Sequence, residues 1–173
     1  MILEGVVWKF GKEIDTDIIM PSRYLELPLA DYRKHVMEPV RPGFFSMVKP
    51  GDFIFAGEGF GIGSSRGQAV AAIKDIGIKA IVAVSFGRIF FRSAINDGLP
   101  LIESTLAYQN TDEGDVVRIE VSSGRIKNKT KGSEFTFQPF PSLLFEILEA
   151  GGGTSYYKNK FRPKEERLGK GNE

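Results

Sequence analysis

Cysteine is absent from this 173-residue chain. Without thiols, its own residues can form neither a disulfide framework nor a thiolate-held metal site. A charge excess is missing too: 23 Lys and Arg against 22 Asp and Glu leave a formal net charge of +1. Nothing in that balance points to nucleic acid or a membrane surface as a partner. No apolar run approaches the roughly 20 residues a spanning helix needs. The opening Met1-Ile2-Leu3-Glu4-Gly5 is too short and too acidic for a signal peptide, so a cytoplasmic location is expected. Internal repeats and low-complexity tracts are also lacking. What remains is ordinary globular material, with 42% hydrophobic and 26% charged residues. The expectation is one domain over residues 1–161, long enough for a single sizeable core. Arg162–Glu173 is charged without apolar period and reads as a mobile tail.

Against that background one stretch stands out. Gly57-Glu58-Gly59-Phe60-Gly61-Ile62-Gly63-Ser64-Ser65-Arg66 follows the apolar run Phe53-Ile54-Phe55-Ala56. Ala69, Ala72, Ile73 and Ile76 then recur at helical spacing. The glycines thus link a buried strand to a helix, with the serines at the helix N-terminus. Glycine permits close backbone approach, a helix N-terminus offers free N–H donors, and Arg66 adds a planar fork suited to carboxylate or phosphate. Together they describe a seat for a small anion. A dinucleotide fingerprint fails in every register, because Ile62, Ser64 and Arg66 stand where the third glycine should fall; a P-loop fails because no Gly-Lys-Ser/Thr follows. The residue types alone leave a second reading open, a tight strand-to-helix turn capped by Ser64 or Ser65.

Elsewhere the pattern predicts strands at Val6–Phe10, Asp52–Ala56, Lys79–Ser85, Val116–Val121, Arg125–Asn128 and Glu134–Phe137. Ser122-Ser123-Gly124 joins two of them as a hairpin. Helices are expected at Leu29–Glu38, ended by Pro39, at Ser65–Ile76, at Phe90–Asp97 and at Leu143–Ala150, the last capped by Ser142 and closed by Gly151. Lys12–Arg23 reads as a loop. Ala80-Ile81-Val82-Ala83-Val84 is the continuous apolar run of a strand buried in a parallel sheet.

Phe60-Gly61-Ile62-Gly63-Ser64-Ser65-Arg66, followed by Ser85-Phe86-Gly87-Arg88-Ile89-Phe90-Phe91-Arg92-Ser93-Ala94-Ile95-Asn96-Asp97-Gly98-Leu99-Pro100-Leu101, resembles the small subunits of 3-isopropylmalate dehydratase (isopropylmalate isomerase) and homoaconitase, and the swivelling domain of aconitase. Gly5–Gly11, Ile14-Asp15-Thr16-Asp17-Ile18-Ile19, Val48–Asp52 and Glu146–Gly152 are similar to the same family in the same order. The resemblance implies an α/β fold, a single three-layer β/β/α swivelling domain. It implies a hydro-lyase active only with a large subunit, which carries a 4Fe–4S cluster; this chain itself holds no metal. The reaction implied is reversible dehydration of a hydroxy-dicarboxylic or tricarboxylic acid, with 3-isopropylmalate of leucine biosynthesis as the leading substrate. Homoaconitate and methylated malates such as citramalate are the alternatives. A non-catalytic anion-binding module is the reading from another class.

By the same resemblance Ser64 is the catalytic serine, acting as an alkoxide base, and Arg66 binds a substrate carboxylate. Gly63 and Ser65 line that seat, and Asp17 orients the serine or a substrate hydroxyl. Arg23 opens the segment in which the family varies with substrate, where it meets a second carboxylate or lies on the surface. Asp15 suits a local Asx-turn. Gly67-Gln68 departs from the Glu-His of many relatives, which removes an acid from the first helical turn and raises the helix cost by up to ~1 kcal/mol. His35, the single histidine, falls on a polar helix face and is expected to be solvated; Trp8 reads as packing.

Overall fold

The computed structural model describes residues 1–64 and 67–161. Its spine is a seven-stranded sheet in the order β4-β3-β2-β1-β5-β6-β7. The strands are β1 (Ile2–Lys9), β2 (Phe53–Ala56), β3 (Ala80–Ala83), β4 (Leu101–Glu103), β5 (Val116–Glu120), β6 (Arg125–Asn128) and β7 (Ser133–Thr136). β1 through β4 pair in parallel, while β5 to β7 form an antiparallel meander. The two halves meet on β1, whose Val7–Lys9 pairs with β2 and whose Ile2–Val6 pairs with β5.

All four residues of β2 and all four of β3 are buried, because both faces are covered. On one face Ile54, Ala56, Ile81 and Ala83 join a core with Ala69, Val70, Ala72 and Ile73 of α4 (Gly67–Asp75) and Phe90 and Ala94 of α5 (Arg88–Asn96). On the other, Phe53, Phe55, Ala80 and Val82 meet Val117, Ile119 and Ile126 of the meander. The sheet therefore curls so that its antiparallel half covers its parallel half, with helices outside: three layers, β/β/α. Burying each such phenylalanine contributes about 1.5–3 kcal/mol. The expected hairpin and the strand–helix–strand unit around the glycine loop are both present.

Several elements differ from expectation. The region read as a loop contains the short α1 (Thr16–Ile19), capped by Asp15, whose Oδ1 accepts the Ile18 N–H at 2.7 Å. The helix expected over Leu29–Glu38 breaks after α2 (Leu29–Tyr32) and a 3-10 turn at Arg33–His35. Val36 and Met37 are fully buried, and Met37 donates its N–H to the Ile19 carbonyl (2.9 Å) instead of continuing the helix. Pro39 already disfavours helical geometry at Glu38. Ser142 does not cap; it is the first helical residue of α7 (Ser142–Glu149), behind Pro141, and makes no side-chain cap bond. Gly151 and Gly152 do close α7: their N–H groups reach the carbonyls of Leu148 and Ile147, the paired bonds of a Schellman ending. β4, α3 (Phe44–Met47), α6 (Thr105–Asn110) and α8 (Gly153–Lys160) were not expected. The first three are too short for a periodic signal, and among the residues of α8 only Gly153 and Tyr156 are buried. The expected tail at 162–173 lies outside the described residues. No helix among the described residues is long and apolar enough to cross a membrane.

Candidate active site

The glycine loop after β2, from Gly57 to Ile62, is pinned on two sides. On one side lies the segment before α1: Gly57 N–H reaches the Gly11 carbonyl (3.0 Å), Gly61 N–H reaches Ile14 O (2.7 Å), and Thr16 N–H reaches Ile62 O (2.9 Å). On the other lies the segment after β3: Phe60 N–H reaches Ser85 O (3.0 Å), and Gly87 N–H reaches Phe60 O (2.9 Å). Parallel bridges at Asp15–Ile62 and Phe60–Phe86 make the loop a frayed continuation of the sheet. Phe60 is buried between Phe86 and Phe90, with ring centroids 6.3 and 5.6 Å away.

That pinning explains the glycines physically. Gly61 has φ +74°, and a Cβ there would lie 2.3 Å from the Phe90 ring. Gly63 has φ +105°, with the Thr16 hydroxyl 3.1 Å from where its Cβ would stand. The loop therefore crosses closely packed neighbours and then emerges, leaving Ile62, Gly63 and Ser64 exposed.

The same bonds set α1 beside the loop's end, so Asp17 and the Gly63-Ser64 pair belong to one corner of the fold. Asp17 accepts a hydrogen bond from Ser22 Oγ at 2.8 Å. Ser22 opens the 3-10 turn Ser22–Tyr24, which carries Arg23. The structure thus connects Asp17 to Arg23 through Ser22. Arg23 is strongly exposed and lies 3.8 Å from Glu38. The Tyr24 phenol, and to a smaller degree the Glu38 carboxylate, raise its pKa above the already high value of a guanidinium. Ser65 and Arg66 lie outside the described residues.

Three contributors were not read from the sequence. Ser22 holds Asp17; the nearly buried Thr16 backs Gly63; Ser85 Oγ accepts the Gly59 N–H at 3.0 Å. Each is a serine or threonine beside a turn, a signal too common to single out. His35 also departs from expectation: it lies flat on Tyr24 and does not sit on a solvated helix face. Trp8 packs edge-on against Phe44 and donates Nε1–H to buried Asp52 at 2.9 Å.

A β/β/α layer arrangement, with a glycine loop carrying an exposed serine into the helix after β2, defines an α/β domain of the aconitase C-terminal type. Residues 48–105 match the family model of the aconitase C-terminal domain. Over 157 residues the chain is 50% identical to the homoaconitase small subunit of Methanothermobacter thermautotrophicus, covering 90% of this chain and 91% of that one. It is 48% identical over 161 residues to the 3-isopropylmalate dehydratase small subunit of Thermodesulfovibrio yellowstonii, covering 92% and 96%. The crystal structure of a 3-isopropylmalate dehydratase chain from Methanocaldococcus jannaschii superposes with a TM-score of 0.87 at 42% identity, over 92% of this chain and 95% of that one. The chain belongs to the family of aconitase-type dehydratase small subunits, the smaller chains of hydro-lyases that act with a large subunit.

Proposed function

We propose that this chain is the small subunit of a two-chain hydro-lyase that dehydrates and rehydrates a hydroxy-dicarboxylic or tricarboxylic acid, with Ser64 as its base. The supporting observation is the pinned loop: its bonds to the segments on both sides hold Ser64 at the surface, next to the helix that carries Asp17. 3-Isopropylmalate is the leading substrate, as in the relatives named for it; the homoaconitase small subunit, equally similar, supports a tricarboxylate as the alternative. The setting is a cytoplasmic biosynthetic enzyme.

In this reading Ser64 Oγ takes the proton from the carbon beside a substrate carboxylate. A serine hydroxyl is far too weak an acid to supply such a base unaided. The N-terminus of α4, starting three residues on, offers the partial positive charge that stabilises an alkoxide. Arg66 and Ser65 bind the adjacent carboxylate, Gly63 leaves room for it, and Asp17 orients the serine or a substrate hydroxyl. Arg23 meets the second carboxylate.

The residues present do not fit an iron–sulfur cluster. The chain has no cysteine, and among the described residues no three His, Asp or Glu side chains are grouped to hold a metal ion. We therefore place the 4Fe–4S cluster on the large subunit.

Ser64→Ala tests the reading. In the complex assembled with the large chain, turnover of 3-isopropylmalate and homoaconitate should fall by three orders of magnitude or more, as removal of an essential acid–base group requires. Assembly and the cluster spectrum should be unchanged, because losing one cap costs only ~1 kcal/mol. Turnover within a few-fold of wild type would reduce Ser64 to a cap and leave the base elsewhere.

A further inference from the structure

The segment bearing Arg23 is held from behind by a layered cluster. The His35 ring lies on the Tyr24 ring with centroids 3.6 Å apart and planes 8° from parallel. The Arg23 guanidinium carbon is 4.7 Å from the centroid of that same Tyr24 ring. Glu38 closes the group, with Oε2 3.2 Å from His35 Nδ1 and 3.8 Å from Arg23 Nη2. An exposed ion pair fixes little by itself. A stacked aromatic pair adds a defined plane and separation, and here the cation, the two rings and the carboxylate form one connected unit.

This unit is anchored to the candidate active site by a separate route. Val36 and Met37, between His35 and Glu38, are fully buried, and Met37 N–H bonds to the carbonyl of Ile19 in α1. α1 also carries Asp17, which accepts from Ser22 at the start of the Arg23 turn. The Arg23 turn is therefore tied to α1 twice, in front through Ser22 and Asp17, and behind through the Tyr24–His35 stack and the buried Val36-Met37 step.

We propose that His35 is a positioning residue for substrate selection: it holds Tyr24, and through it Arg23, at a fixed place relative to Asp17, with Glu38 bracing His35 and Arg23, and neither touches substrate. The inference rests on the proposed role of Arg23 toward a second carboxylate. A guanidinium on a long, rotamer-rich side chain binds a carboxylate well only when its plane is set in advance. The stack supplies that plane.

The test uses the assembled complex and the full chain. His35→Ala should raise KM for 3-isopropylmalate about three- to tenfold, the range a lost stacked pair gives, with kcat within about twofold. His35→Phe keeps the stack and should bring KM back to within about twofold of wild type, which a merely structural role for the histidine's polar atoms would not do. Arg23→Ala should raise KM at least as much, and the double variant should match Arg23→Ala alone, because both act through one group. Proton NMR of the full chain checks the geometry without catalysis: His35 ring protons should be shifted by the Tyr24 ring current and return to ordinary positions in Tyr24→Leu. An unshifted His35 overturns the proposal. So does an unchanged KM in His35→Ala beside a damaged Arg23→Ala, which leaves the role of Arg23 standing. If Arg23→Ala itself binds and turns over normally, the carboxylate role of Arg23 fails and the positioning proposal fails with it.

Discussion

Gly61 has no room for a methyl group. Its φ of +74° costs an L-residue about 1–2 kcal/mol, and the added carbon would collide with the ring of Phe90, a buried residue of α5. Gly61→Ala should therefore lose about 3 kcal/mol and lower Tm by on the order of 10 °C. Gly11→Ala is the control: Gly11 lies next to the same loop, yet nothing among the described residues comes within 4 Å of its would-be Cβ. Thermal unfolding of both decides the matter, and an unchanged Tm for Gly61→Ala would show that the loop is not pinned as described. At this scale the sequence made the glycines visible but left their cause open. An anion seat and a tight crossing demand the same residue, and only the position of Phe90 separates them for Gly61. The stack of His35 on Tyr24 was not legible at all, because it depends on a helix breaking after Arg33–His35, where burial of Val36 and Met37 overrides local propensity.

Between elements, Arg41 and Glu113 join the approach to α3 with the turn before β5 by two hydrogen bonds, of 2.9 and 2.7 Å. The guanidinium also lies over Trp8 and Phe10, with ring centroids 5.8 and 5.5 Å away. Hydrogen bonding to Arg41, and secondarily the Lys9 N–H, hold the Glu113 carboxyl below its ordinary pKa of 4.5. A carboxyl lowered in this way stabilises the fold above its unfolded pKa, and that contribution is lost as pH falls through the folded value. Glu113 is 40% exposed, so solvent screening limits the pair to about 1 kcal/mol. Unfolding followed from pH 6 down to pH 3 should show wild type losing more stability than Glu113→Gln; equal slopes would mean that the pair contributes nothing. Elements with strong local signals were legible: the hairpin of β5 and β6, the continuous apolar run of β3, and the close of α7 at Gly151. Those defined by tertiary contact were not. β4 is three residues long, and α2 ends where the core draws the chain inward.

For the whole molecule, the absence of cysteine and the membership in a small-subunit family lead to one expectation. Anaerobic iron–sulfur reconstitution of this chain alone should give no cluster absorbance and no dehydratase turnover, and addition of the large chain should restore both. A stable cluster signal with turnover from the isolated chain would overturn the division of labour. The layer architecture was legible only through family resemblance, because hydrophobic period says which strands are buried and not that one sheet folds back over itself. That folding back has a consequence for how the protein is made. β1 is translated before the other described strands, and its antiparallel partner at Val116–Glu120 follows more than a hundred residues later, a wait on the order of ten seconds at ~5–20 residues per second. Until then its Ile2–Val6 edge has no neighbour, and Ile2 and Val6 remain partly exposed even in the finished fold. β1 thus waits across most of the described chain for its second neighbour, and that edge is open to aggregation until the meander arrives.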